Sequence, residues 1–139
     1  MDRDLVEAKL ESIRRCVERV AAKTPSTAEQ LALDADVQDV IALNLQRAVQ
    51  LCVDVASHII AETEVRPPST MAEHFEILVQ LKVINPALAE RMIKAVGFRN
   101  IAVHSYQNID WRIVFQICTH HLVDFKQFAQ AIADRSLRS

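Results

Sequence analysis

The chain has 139 residues, half of them hydrophobic and 24% charged. These proportions fit one folded domain, residues 1–139, with a sizeable core, and exclude a disordered chain. One glycine and four prolines supply too few turn residues for the hairpins of a sheet, so helices joined by few loops are expected. A formal net charge of −2 excludes a broad basic footprint, so any action on nucleic acid must come from a small local site.

The first residues, Met1-Asp2-Arg3-Asp4, contain no apolar signal core, and no apolar run approaches membrane-spanning length. A cytoplasmic protein without membrane attachment is expected. From 2 to 22, Val6, Leu10, Ile13, Val17 and Val20 alternate in spacings of four and three, which makes one apolar stripe on an amphipathic helix. Pro25 ends it. Ser26 and Thr27, followed by Glu29 and Gln30 at capping-box distance, restart a short helical turn.

A long helix is expected from about Asp36 to Glu64, uninterrupted by glycine or proline. Its apolar residues, among them Ile41, Leu43, Leu45, Val49 and Val53, cover much of the circumference, as in a central helix with neighbours on several sides. Arg47, Asp54 and His58 lie along one side of it and read as a hydrogen-bonded polar stripe, or else as the border of an active cleft or dimer seam. Pro67-Pro68 closes this segment, and Ser69-Thr70-x-x-Glu73 opens a helix through about Val83.

Asn85-Pro86 places a cap residue before a proline at the first helical position, and a helix should run from there to about His104. Asn108 then reads as the cap of a last helix, with Val114, Ile117, Cys118, His121, Leu122, Phe125, Phe128 and Ile132 on one face and its end fraying over 135–139. The fold class is all-α, an antiparallel bundle of four or five helices with short connections. Cys16, Cys52 and Cys118 are far apart, form no CxxC pair and sit in apolar helical stretches. They read as small buried hydrophobes in a reducing cytosol. His120 and His121, adjacent on a helix, point roughly 100° apart and make a poor metal pair.

The stretch Gly97-Phe98-Arg99-Asn100-Ile101-Ala102-Val103-His104-Ser105-Tyr106 holds the only glycine, the only tyrosine and several polar side chains at a helix end. Asn100 and His104 share a face, whereas Arg99 and His104 lie roughly 140° apart around an ideal helix. Either the arginine curls round, or the helix loosens near Ser105, or a second copy supplies the partner group across a shared cleft. In the last arrangement Gly97 would permit close backbone approach.

The chemistry these residues fit is RNA cleavage without a metal. A histidine, which titrates near neutrality, can take the proton of a ribose 2′-hydroxyl. A guanidinium fork matches the oxygens of the phosphorane that follows.

The set Arg99-Asn100-x3-His104, extended by Tyr106, resembles the Arg-x4-His-x-Tyr motif of HepT-type toxins of the HEPN superfamily. The helix lengths and the segments 44–50 and 54–58 are similar to that family too. The resemblance implies a homodimeric, metal-independent ribonuclease with no cofactor, in which Arg99 and His104 are the catalytic pair; Asn100, on the face of His104, is placed to orient it or to bind the ribose. It also implies a partner, an MntA-like nucleotidyltransferase antitoxin that attaches AMP to Tyr106, and an RNA substrate such as tRNA or mRNA. The alternatives are a non-catalytic HEPN module that binds nucleotide or a nucleotidyltransferase, and a plain helical adaptor.

Overall fold

The structure is a computed structural model that describes residues 2–138, with side chains described through Arg135. Every regular element among the described residues is helical. Helix α1, Arg3–Lys23, buries Val6, Ile13, Cys16, Val17 and Val20 and leaves Leu10 at the edge of the stripe. Its last turn closes on Thr24, whose N–H and hydroxyl both donate to the Val20 carbonyl. Helix α2, Ala28–Leu33, begins with the expected capping box: Thr27 Oγ1 accepts from the Gln30 N–H at 3.2 Å, and Gln30 Oε1 accepts from the Thr27 N–H at 3.2 Å.

Helix α3, Ala35–Ala61, is the central element and packs against α1, α2 and three of the helices that follow it. At ~1.5 Å per residue it spans roughly 40 Å. Lys9, early in α1, meets Asp54, late in α3, at 3.6 Å, so the two helices run antiparallel. α3 ends at Ala61, short of the expected Glu64, where Glu62 and Thr63 turn back onto the Ile59 and Ile60 carbonyls. The polar stripe on α3 also differs from expectation. Asp54 is bonded by Gln50 at 2.9 Å and paired with Lys9, not with Arg47 or His58. Arg47, seven positions away, stands two turns off, while Gln50 one turn away and Lys9 of α1 take up the carboxylate.

Helix α4, Met71–Gln80, is capped by Thr70, which accepts from the Glu73 N–H, while Glu73 accepts from the Ser69 N–H. It stops before the expected Val83 because Lys82 turns to φ 61°, and the N–H groups of Lys82 and Val83 close back on the carbonyls of Val79 and Leu78. That double closure is a Schellman ending, with lysine where glycine is usual. His74 of α4 bridges to Ser57 of α3 at 2.9 Å and to its own Thr70 carbonyl at 2.8 Å.

Helix α5, Pro86–His104, starts as expected on Asn85, which accepts from the Leu88 N–H at 2.8 Å. A short 3₁₀ turn, Tyr106–Asn108, follows it. Asn108 is therefore not the cap of the next helix; its N–H is used in the turn, donating to Ser105. Asp110 caps α6, Trp111–Gln116, by accepting from the Arg112 N–H at 3.0 Å.

A π-helical turn, Ile117–His121, joins α6 without a break to α7, Leu122–Arg138. The wider turn keeps Val114, Cys118 and Leu122, each four apart, on the buried side, and it carries His121 outward. That corrects the expected apolar face, in which His121 was included. α7 continues through Arg138; Ser139, at the end of the expected fraying segment, and Met1 lie outside the described residues.

One core runs from Val6 to Ile132, with Phe75 and Phe128 fully buried in edge-to-face contact, ring centroids 5.8 Å apart. The three cysteines are free and buried, as expected, and burial raises each thiol above its ordinary value, so none is a ready nucleophile. α5 is tied to α7 by Arg91, whose guanidinium donates to buried Asp124 and to Gln127, both at 2.8 Å. Among the described residues no helix is long and apolar enough to cross a membrane.

Candidate functional site

The segment singled out in the sequence forms the C-terminal half of α5 and the turn beyond it. α5 is regular through His104, and Ser105 breaks it with φ −149° and ψ 52°. The helix therefore does not loosen before the histidine. Arg99 and His104 keep their separate directions on the helix, with Asn100 between them.

The structure shows how the gap begins to close. Arg99 Nη1 donates to Asn100 Oδ1 at 3.3 Å. Asn100 lies one step round the helix from Arg99, on the His104 side. The bond, though long, draws the guanidinium toward the face that Asn100 and His104 share. Both of those residues are exposed, and His104 forms no side-chain hydrogen bond among the described residues. An imidazole left open at a helix end can meet a ligand without first breaking an internal contact.

Tyr106 is placed differently. It stands in the 3₁₀ turn, its ring edge-on to Trp111 with centroids 5.9 Å apart, and its hydroxyl donates to Asp39 Oδ1 of α3 at 2.5 Å. Burial is the main cause that lifts the phenol well above its ordinary value, and the adjoining Asp39 carboxylate adds to it. Asp39 and Trp111 were not singled out in the sequence. Asp39 lies 67 positions from Tyr106, on a polar face of a long helix, and no local pattern marks it. Trp111 carried the weak signal of being the only tryptophan.

Gly97 lies on an exposed face of α5, and a Cβ added there would meet nothing within 4 Å. Among the described residues nothing requires glycine at this position. Beside it runs a groove of about 590 Å³ between α5 and α6–α7, lined by Phe98, Ile101, Ile109, Ile113 and Ile117 among others. Ile101 and Ile113 are 46% and 59% exposed, an unusual concentration of aliphatic surface next to polar functional groups. His121 lines the same groove and faces Asp124 at 3.3 Å, without forming a pair with His120.

A helical bundle with an arginine, an asparagine and an open histidine at one helix end, followed by a tethered tyrosine, defines a small class. Residues 10–132 match the ribonuclease HepT-like family, and the chain belongs to that family. It is 36% identical over 129 residues to an mRNA nuclease HepT of Shewanella oneidensis, covering 93% of this chain and 96% of the relative. It is 24% identical over 128 residues to a tRNA nuclease HepT of Aphanizomenon flos-aquae, covering 92% and 87%. The fold superposes with a TM-score of 0.88, at 36% identity, on a tri-AMPylated HEPN toxin of Shewanella oneidensis in complex with an MNT antitoxin, covering 95% of this chain and 98% of that one.

Proposed function

We propose that this protein is a ribonuclease toxin that cuts RNA without a metal and is neutralised when a nucleotidyltransferase antitoxin transfers AMP to Tyr106. The observation that carries this reading is the open imidazole of His104 on the same face as Asn100, toward which the Arg99 guanidinium is drawn. His104 takes the proton from a ribose 2′-hydroxyl, and that oxygen attacks the adjacent phosphorus. The bond to the 5′-oxygen breaks, that oxygen takes up a proton from solvent, and a 2′,3′-cyclic phosphate and a 5′-hydroxyl end remain. Arg99 holds the phosphate oxygens as charge builds on them, and Asn100 keeps the guanidinium in place. With a net charge of −2, the affinity for RNA rests on these few groups and on whatever a second copy adds.

The protein works as a homodimer in this reading. Gly97 and the aliphatic groove beside it form the contact, on the helix that carries the catalytic pair, so two sites share one cleft. Neutralisation follows from the chemistry of the acceptor. A nucleotide on Tyr106, two residues beyond His104, places negative charge and bulk where an RNA phosphate must enter. The partners are thus RNA, a second copy of the chain and an MNT-type nucleotidyltransferase, and the action is in the cytoplasm.

The test compares wild type with His104→Ala on total RNA and on tRNA, with chelator present, after intact mass has shown Tyr106 to be unmodified. Wild type should leave cyclic-phosphate ends, and the variant should lose about 10²-fold or more of the rate. Equal behaviour of the two would instead favour a non-catalytic partner of a nucleotidyltransferase.

A further inference from the structure

The Tyr106 hydroxyl has a partner that RNA cleavage does not account for. Asp39 stands near the start of α3, exposed, and reaches across 67 positions of sequence to take the tyrosine's hydrogen at 2.5 Å. The ring is held from the side by Trp111, while 37% of the residue stays open to solvent. The oxygen is therefore fixed, on a side chain that stays partly open to solvent.

Two physical points follow. A phenol that donates its hydrogen to a carboxylate keeps its lone pairs free for an electrophile. And because burial and the neighbouring negative charge both favour the protonated phenol, the oxygen is not a phenolate at neutral pH. Its proton must be accepted as a new bond to oxygen forms. Asp39 is already within hydrogen-bond reach of it.

We propose that Asp39 aligns the Tyr106 oxygen for nucleotidyl transfer and accepts its proton during the reaction. The inference rests on the reading of Tyr106 as the AMP acceptor. Tyr106 Oη forms a bond to the α-phosphorus of ATP. The bond from that phosphorus to the bridging oxygen breaks, and its electron pair leaves with pyrophosphate. The phenolic proton passes to Asp39 Oδ1 and from there to solvent. The toxin chain thus supplies part of the machinery for its own modification, and the antitoxin brings the nucleotide to a prepared nucleophile.

The experiment follows AMP addition by intact mass, using full-length toxin, ATP, magnesium and the MNT-type nucleotidyltransferase of the same genome. Asp39→Asn is nearly isosteric, and its amide oxygen still accepts the phenol's hydrogen bond, but it is a far weaker base. The variant should lose about 10²-fold in kcat, with KM for toxin and for ATP changed by less than about twofold. Asp39→Glu should recover part of the loss, and melting midpoints should show that each variant is folded. Should Asp39→Asn fail to fold, Asp39→Ser replaces it under the same criterion. Transfer to wild type and Asp39→Asn at equal rates overturns this inference alone, as does a loss confined to KM, which would make Asp39 a docking group. No transfer to wild type overturns the acceptor reading of Tyr106 and this inference with it.

Discussion

Removing Arg91 should destabilise the fold by about 2 kcal/mol, a figure that follows from what its loss leaves behind. The guanidinium spans α5 and α7, donating to Asp124 Oδ1 and to Gln127 Oε1, both at 2.8 Å. The Asp124 side chain is 9% exposed and that of Arg91 35%. Arg91→Ala strands a nearly dry carboxylate whose remaining neighbour is His121 at 3.3 Å.

Breaking a fully buried pair costs roughly 3–5 kcal/mol. The partial exposure of Arg91 lets water reach the stranded group and brings the expectation down to about 2 kcal/mol. For a chain of this size that is a fall of about 6–10 °C in melting midpoint. Urea unfolding of wild type, Arg91→Ala, Asp124→Asn and the double variant would isolate the pair, with an expected coupling of about 1–2 kcal/mol. A single-variant loss under about 0.5 kcal/mol, or zero coupling, would refute the reasoning and make the contact an ordinary surface ion pair.

Gly97→Ala tests the proposed dimer face from the opposite direction. Within one chain the added methyl meets open space, so the isolated fold should gain about 1 kcal/mol of helix stability, seen by thermal melting of dilute protein. Sedimentation at higher concentration should show weaker self-association, and unchanged association would remove Gly97 from the interface. Tyr106 offers a titration, since it is the only tyrosine and its ionisation can be followed by absorbance. Burial and Asp39 hold its proton on, so the stability this contributes is complete below pH ~10 and is lost as pH rises through the folded-state value. Asp39→Asn removes the charge but not the burial. Its titration midpoint should fall below that of wild type and stay above that of free tyrosine; an unmoved midpoint would show that the carboxylate does not act on the phenol.

The parts of this fold that could be read in the sequence are those governed by local rules. The capping box at Thr27 and Gln30, the Asn85-Pro86 start and the Thr70 cap all formed where the side chains dictated. The apolar stripe of α1 did as well, because a period of 3.6 residues decides which side of a helix is buried. The misses share a different cause. α4 ends on a left-handed lysine, a conformation that no glycine advertised. The π turn displaces His121 because the wider turn resets the phase of the helix, and a fixed period cannot foresee that. Asn108 lost the capping role to Asp110 because the chain first made a tight turn.

The site divides along the same line. Arg99, Asn100, His104 and Tyr106 stand within eight positions and were found together as a motif. Asp39, brought to Tyr106 only by the packing of α3 against the end of α5, left no trace in local sequence.

The contact between Tyr106 and Trp111 gives the molecule a built-in optical reporter. The chain has one residue of each kind, and their rings meet edge-on at 5.9 Å. At that separation the tyrosine can pass absorbed light to the indole, the chain's one tryptophan, which stands beside the helix end that holds His104. A shift of the turn, occupation of the phenol oxygen or approach of another molecule alters the colour or yield of a single fluorophore. The state of this protein can thus be watched in real time, without a label.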